Sequence, residues 1–92
     1  MLRITFTSKM KQDVKRVKKR GKDLRKLEVV LGILAAQNPL PECYRDHQLA
    51  VDLKDFRECH IEPDWLLIYQ IRQAELVLSA TRTGTHSDLF KR

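Results

Sequence analysis

Long hydrophobic stretches are missing from this sequence of 92 residues. None approaches the roughly 20 apolar residues that cross a bilayer, and the N-terminus lacks the apolar region and cleavage site of a signal peptide. Cysteine is also scarce, since the chain has only Cys43 and Cys59, without C-x-x-C spacing. We therefore expect a cytoplasmic protein that does not bind membranes and whose two cysteines stay reduced.

Acidic side chains are nearly absent from residues 9 to 26, although the whole chain has 12 of them against 18 lysines and arginines. This segment holds ten of the basic residues, opposed only by Asp13 and Asp23, so it carries +8 while the rest of the chain carries −2. A localised field of this size attracts polyanions. The candidate RNA- or ribosome-binding residues are Lys9, Lys11, Lys15, Arg16, Lys18, Lys19, Arg20 and Lys22. A solvated helix face and an acidic protein partner are the alternatives.

The first half of the chain favours one strand and two helices. Alternation of apolar and polar residues over 2–6 is typical of a short strand. Thr7 or Ser8 can cap the first helix, whose narrow apolar stripe lies beneath the basic face. Gly21 separates this helix from a second, leucine-rich one, which ends before Asn38 because a proline follows there.

The second half of the chain favours strands. Residues 39–54 are interpreted as a long irregular connection, and 56–61, 65–72 and 75–82 are extended segments rich in aliphatic and aromatic residues. Their short connections predict antiparallel neighbours. We expect a single α+β domain over residues 1–92, with the N-terminal helical hairpin packed on one face of a small antiparallel sheet and the other face available for a site.

The three histidines suit acid–base cleavage of RNA, because an imidazole exchanges protons near neutral pH. His47 lies in the irregular connection, His60 at a strand end, and His86 in the C-terminal tail, where Thr85 and Asp88 predict a capped helical turn. Folding could bring all three to one edge of the sheet. No two histidines have the i, i+4 spacing of a zinc site, so we expect neither a metal nor another cofactor.

Four other residues are candidates for contacts at such a site. Asp64, which follows a proline at a turn, either orients a histidine and favours its protonated form or serves the turn alone. Trp65 and Phe90 are either core aromatics or stacking surfaces for an RNA base. Arg82 either clamps a phosphate or covers apolar surface. On these residues alone, the prediction stops at a basic RNA-binding or ribonuclease-like domain.

Three runs of sequence carry a resemblance to a known family. They are residues 44–49 (YRDHQL), 60–69 (HIEPDWLLIY) and 82–90 (RTGTHSDLF). In order and spacing they closely resemble the YafQ toxins, a branch of the RelE/ParE superfamily of bacterial type II toxin–antitoxin modules. The resemblance covers nearly the whole chain, and it implies two N-terminal helices on a small antiparallel sheet.

The resemblance also implies an activity and partners. Such a toxin is a ribosome-dependent mRNA interferase, which cuts the codon in the A site by 2′-OH attack without a metal. A cognate antitoxin inhibits it, and operator DNA is contacted only through the toxin–antitoxin complex. The active-site positions of the family fall on His47, His60, Asp64, Trp65, His86 and Phe90.

Within that set, His86 is the first candidate for the acid or the base, and His47 and His60 share proton transfer and phosphate stabilisation with it. Trp65 and Phe90 would position the nucleotide or support the site. Two alternatives stay open: a ParE-like toxin that is not a nuclease and poisons a protein such as gyrase, and an RNA-binding module without catalysis.

Overall fold

The computed structural model describes residues 1–49 and 55–90. Its helices are α1 (Ser8–Lys19), α2 (Leu24–Ala35) and α3 (His86–Leu89), and its strands are β1 (Arg3–Phe6), β2 (His47–Gln48), β3 (Arg57–Glu62), β4 (Trp65–Arg72) and β5 (Val77–Gly84). Short 3₁₀ turns span Glu42–Tyr44 and Gln73–Glu75. The strands form one sheet in the order β1-β5-β4-β3-β2.

The pairing of the strands follows the prediction in the second half of the chain. Strands β3, β4 and β5 are antiparallel neighbours, as their short connections indicated. Strand β1 lies parallel to the first half of β5, a pair that the prediction of an antiparallel sheet did not include. The α+β class is confirmed, and the sheet is mixed because α1 and α2 carry the chain away from β1 before the other strands form.

The helix boundaries have local causes that the sequence contained. The hydroxyl of Thr7 accepts a hydrogen bond from the Met10 backbone N–H and so caps α1. Gly21 has φ of +85°, a conformation that favours glycine, and it separates the two helices as predicted. The carboxylate of Asp23 then caps α2 by accepting from the backbone N–H of Arg25.

Two connections differ from the prediction. The 39–54 segment was expected to be irregular, but it contains the 42–44 turn and the short strand β2; residues 50–54 lie outside the described residues. Strand β5 begins at Val77 rather than at residue 75, because the chain first turns through 73–75 and Leu76 adopts a left-handed conformation with φ of +54°.

The core lies between the helices and one face of the sheet. Its buried members are Leu2, Met10, Val17, Leu27, Val30, Leu31, Leu34, Ala35, Cys59, Ile61, Trp65, Leu67, Tyr69, Leu78 and Ala80. Successive residues of a strand point to opposite faces, so the neighbours of Cys59 on β3, Glu58 and His60, lie on the face turned away from this core. Their ladder partners on β4 are Ile68 and Leu66.

Candidate active site

The three histidines meet at one place on the surface. The ring centroids of His47 and His60 are 6.3 Å apart, and those of His60 and His86 are 5.8 Å apart. His60 is partly buried, whereas His47 and His86 are exposed. The structure thus brings together all three residues that the sequence singled out, and it leaves two of the rings open to an incoming ligand.

Strand register explains why they meet. His47 on β2 pairs across the ladder with Glu58, two residues before His60 on β3. On the other side, Leu66 of β4 pairs with both His60 and Gly84, so the first turn of α3 begins beside the end of β3. Residues almost 40 positions apart in the chain therefore share one patch of surface.

Each of the three rings has its Nδ1 atom next to an oxygen. The partners are the backbone carbonyl of Arg45 for His47 at 2.8 Å, that of Pro63 for His60 at 3.3 Å, and Oδ1 of Asp64 for His86 at 2.8 Å. A carbonyl or ionised carboxylate oxygen accepts hydrogen bonds only, so Nδ1 carries the hydrogen in each ring. Proton exchange therefore falls to the Nε2 atoms, of which those of His47 and His60 face the side chain of Glu58.

Glu58 is a residue of this site that the sequence analysis missed. Its side chain is buried, and its Oε1 lies 3.3 Å from Nε2 of His47 and 3.6 Å from Nε2 of His60. A carboxylate placed there balances the charge of an imidazolium formed on either ring. Period-two alternation on the predicted strand, which puts Glu58 on the same face as His60, was the available signal.

One group of possible metal ligands occurs within the described residues. Ligand atoms of Glu58, His60 and His86 all lie within 4.8 Å of one another. The expectation that no metal binds rested on the spacing of histidines along the chain. The fold brings these three residues together from β3 and α3, so the spacing alone could not reveal the group.

Asp64 holds His86 from the tip of the β3–β4 turn. Its Oδ1 accepts from the ring Nδ1 at 2.8 Å and from the backbone N–H of His86 at 3.1 Å. The hydrogen bond from the ring is the main reason why the pKa of Asp64 lies below its ordinary value. Asp64 therefore stays ionised and fixes both the orientation of the ring and its tautomer.

The turn that carries His86 is fixed from its other side by Asp88. Thr85 and Asp88 form the predicted capping box, in which each side chain accepts from the backbone N–H of the other residue. Arg20, the C-cap residue of α1, donates two hydrogen bonds to the Asp88 carboxylate and holds its pKa well below the ordinary range. Gly84 has φ of +151°, and a Cβ there would lie 2.8 Å from Asp88 Oδ2, so this position requires glycine.

The two candidate aromatics have different environments. Trp65 is only 1% exposed and donates its indole N–H to the hydroxyl of Thr83 at 2.9 Å. A ring buried to this extent has no free face for a base, so its burial favours support of the site over direct contact, and the role of Trp65 stays a prediction. Phe90 is partly buried, with its ring centroid 6.5 Å from that of His86, so it borders the site.

Arg82 is engaged by a buried carboxylate. Its Nε and Nη2 atoms donate to Asp13, which is 1% exposed, at 2.6 and 3.1 Å. Asp13 also accepts from the backbone N–H of Thr83. The interaction joins α1 to the C-terminal half of β5, and a contact between Arg82 and phosphate stays a prediction.

The basic segment divides into two groups. Arg16 and Arg20 form ion pairs with Asp88, and Lys22 pairs with Glu62. In the part of the chain that the structure describes, five other candidates are exposed and form no ion pair: Lys9, Lys11, Lys15, Lys18 and Lys19.

The cysteines are free, as expected. Cys59 is buried, and this burial raises the pKa of its thiol to about 12, so it is no nucleophile at neutral pH. Cys43 is exposed on the 42–44 turn.

Within residues 1–49 and 55–90, no helix combines the length and the apolar character that a bilayer crossing needs.

Comparison with known proteins shows which family shares this sequence and fold. A family model described as a bacterial toxin of type II toxin–antitoxin systems, YafQ, matches residues 2–91. A protein of Escherichia coli K12 named mRNA interferase toxin YafQ is 41% identical over 88 residues, which cover 95% of this chain and 94% of the relative. A putative toxin YafQ of Haemophilus influenzae is 33% identical over 91 residues, covering 94% and 89% of the two chains.

Solved structures agree with these matches. The crystal structure of a metal-bound toxin from Helicobacter pylori superposes with a TM-score of 0.93 at 49% identity, covering 98% of this chain and 100% of that one. The toxin in the E. coli DinJ–YafQ complex gives a TM-score of 0.88 at 40% identity, with 98% and 99% covered.

Fold, site and matches first define a class: this protein is the toxin of a type II toxin–antitoxin module and an endoribonuclease. Within that class, the chain belongs to the YafQ family.

Proposed function

We propose that this toxin inhibits translation by cutting mRNA in the ribosomal A site, through acid–base catalysis that needs no metal. The observation that carries the proposal is the convergence of His47, His60 and His86, each with Nδ1 held by an oxygen. An imidazole fixed in this way presents Nε2 either as a proton acceptor or, once protonated, as a donor. The relatives named mRNA interferase give the substrate class.

Such a site can perform the reaction with its own side chains. One Nε2 removes the proton of a ribose 2′-OH, and the 2′-oxygen attacks the neighbouring phosphorus. The bond from phosphorus to the 5′-oxygen breaks, and a protonated Nε2 gives its proton to that oxygen. The products are a 2′,3′-cyclic phosphate and a 5′-hydroxyl, and no group is oxidised or reduced.

Roles within the site follow from the contacts. His86 is the first candidate for one of the two proton transfers, because it is exposed and Asp64 holds its ring at 2.8 Å. His47 and His60 share the other transfer, with Glu58 balancing the positive charge. Phe90 would border the bound nucleotide, and Arg82 would reach a phosphate from β5.

The proposed partners are a cognate antitoxin and the 70S ribosome with its mRNA. The E. coli relative is seen in a complex with DinJ, and by analogy an antitoxin would inhibit this chain and contact operator DNA through the complex. The unpaired lysines of α1 offer a polyanion surface for ribosomal RNA. Action on ribosomes implies a cytoplasmic location.

The test is cleavage mapping of a defined mRNA on programmed ribosomes, with wild-type protein, His86→Ala and a control without ribosomes. We expect cuts at the A-site codon that need both the ribosome and His86, with at least a hundredfold loss in the variant. Circular dichroism and antitoxin binding should stay unchanged, because the His86 side chain is 55% exposed. Full activity of a folded His86→Ala protein would refute the assignment, and absence of cleavage from a toxin that still stops growth would favour a protein target.

A second candidate function is metal binding at the same site. Two imidazoles and one carboxylate, from His60, His86 and Glu58, suit a divalent transition-metal ion, and a relative from H. pylori is described as metal-bound. Such an ion would supply a Lewis acid. It would also compete with proton transfer by occupying the nitrogens that the acid–base reaction needs.

The two candidates differ in their response to a chelator that removes transition metals but leaves Mg²⁺ on the ribosome. Acid–base catalysis predicts unchanged cleavage under the chelator and inhibition by added Zn²⁺. Metal-dependent cleavage predicts loss under the chelator and recovery when Zn²⁺ or Cu²⁺ is restored.

A further inference from the structure

A groove of about 530 Å³ opens beside the histidine site. It follows the edge of β3 beyond the point where β2 ends, since β2 pairs only with Arg57 and Glu58. One wall is α2, with Lys26 and Val29, and the other is the 42–44 turn with the residue after it. His60 belongs to both the groove and the histidine site, so the two are continuous.

The lining of the groove suits a flat, partly apolar ligand with negative charge. Val29 is 54% exposed, which is unusual for a large aliphatic side chain on a helix of this protein. The ring of Tyr44 stands in the opposite wall, and Ile61 forms part of the floor. Two cations and one acid also line the groove: Lys26, Arg45 and Glu62. Lys26 is paired with Glu62 at 2.7 Å, so Arg45 is the cation that faces a ligand. A nucleobase has a planar apolar face, and its phosphate would be attracted by Arg45.

The wall that contains Tyr44 is held in place. The residue after the turn, Arg45, has φ of +49°, and Asp46 then accepts hydrogen bonds from Arg57 on β3 and from the hydroxyl of Tyr69 on β4. Burial and the hydrogen bond to Asp46 raise the pKa of Tyr69, which therefore remains a neutral donor. A wall fixed to two strands loses little conformational freedom on binding a ligand.

We propose that this groove is a subsite for one nucleotide of the mRNA next to the scissile phosphate, with its base against Tyr44 and Val29. This inference rests on the proposed function, and it adds a base-contacting surface outside the histidine site. Contact with one base at this position makes the toxin discriminate among codons. Tyr44, Val29 and Arg45 are then specificity residues, and they take no part in proton transfer.

The test uses Val29→Glu and Tyr44→Ala on ribosomes programmed with mRNAs that vary the bases around the cut. Val29 lies on the exposed surface of α2, where glutamate is a good helix former, so this variant should fold. Tyr44→Phe keeps the ring, and Leu76→Glu places the same charge on an exposed apolar residue at the far end of β5.

We expect both groove variants to need about tenfold more toxin for the half-maximal rate, as for the loss of one base contact. The rate at saturation should stay within about twofold of wild type, because the proton-transfer residues are untouched. The preference for one base beside the cut should flatten. Leu76→Glu should behave like wild type. Tyr44→Phe, which keeps the ring, should recover the half-saturation and the base preference that Tyr44→Ala loses.

Three results would overturn the inference. Groove variants that match wild type in both half-saturation and base preference would leave the proposed function intact and remove the subsite. Groove variants that cut RNA normally but lose the antitoxin would assign the groove to a protein segment. If the wild-type toxin cuts no mRNA at all, both the proposed function and the subsite are refuted.

Discussion

The two flanks of α1 have similar composition and different surroundings. On the flank that faces the C-terminal turn, Arg16 and Arg20 are within ion-pair distance of Asp88. On the outward flank, Lys11, Lys15 and Lys18 follow the spacing i, i+4, i+7 of one helix face and form no ion pair with any described residue. Basic residues of one helix therefore divide into a group that is neutralised within the protein and a group that faces solvent.

The paired group supports the active site, whereas the group that faces solvent can attract the RNA substrate. The paired arginines hold α3, on which His86 lies, and Asp13 joins the same helix to Arg82 on β5. The outward lysines touch none of these groups and can release counterions from RNA instead. Variants on the paired flank should thus change the free energy of unfolding and the cleavage rate. Variants on the outward flank should change the salt dependence of ribosome binding.

The largest effect is expected for Asp13, the buried carboxylate on α1. Asp13→Asn removes a buried charge that binds Arg82 and the Thr83 backbone. Breaking such a pair leaves the guanidinium uncompensated, so the free energy of unfolding should fall by roughly 3 kcal/mol, measured by urea denaturation. Asp23→Asn is the matched control and should change it by less than about 0.5 kcal/mol, since Asn caps α2 equally well. Equal losses in both variants would show that Asp13 does not join α1 to β5.

An intermediate effect is expected at Arg20. Arg20→Ala removes two hydrogen bonds to Asp88 and leaves it the longer ion pair with Arg16 at 3.6 Å. Small displacements of a catalytic group are costly, so the saturated cleavage rate should fall about tenfold. Lys19→Ala changes the adjacent residue on the outward flank and should leave that rate unchanged. Single-turnover cleavage on saturating ribosomes measures both.

Acid should weaken the same contact in a defined direction. The pKa of Asp88 lies below its ordinary value, so the stability that the Arg20 pair contributes is complete above the ordinary Asp range and is lost as the pH falls through the depressed value. The difference in stability between wild type and Arg20→Ala should accordingly vanish in strong acid. A difference that grows on acidification would contradict the pairing.

The smallest effect on chemistry is expected from the outward flank. Replacing Lys15, Lys18 and Lys19 by glutamine should weaken ribosome binding and lower the slope of log affinity against log salt by about 2 to 3. The saturated cleavage rate should not change. The control is the double variant Arg3→Gln, Arg72→Gln. It removes two positive charges from β1 and β4, on either side of Val77 at the start of β5. An identical salt slope in the triple variant and wild type would exclude this face as the docking surface.

Local features of the fold were predictable, and long-range ones were not. The Thr7 cap, the break at Gly21 and the Thr85–Asp88 capping box depend on neighbours in sequence, and each is confirmed. The parallel pairing of β1 with β5 joins segments more than 70 residues apart, and no short-range pattern encodes it.

The candidate site shows the same limit. The residues alone made the histidines and Asp64 candidates, and the resemblance of three sequence runs to the YafQ toxins placed them in one active site. Glu58 was missed since one carboxylate in a strand is unremarkable until β2 and β3 place it between two imidazoles. The burial of Trp65 also depends on packing, which the sequence of a turn cannot specify.

The most direct test of the account is the chemistry of the cut ends. Purified toxin would act on programmed ribosomes under a chelator of transition metals, and the 3′ ends of the upstream fragments would be analysed by mass spectrometry. Acid–base catalysis by the histidines predicts 2′,3′-cyclic phosphate ends, and none with His86→Ala. Ends with a 3′-hydroxyl, or cleavage that requires an added transition metal, would contradict the central claim.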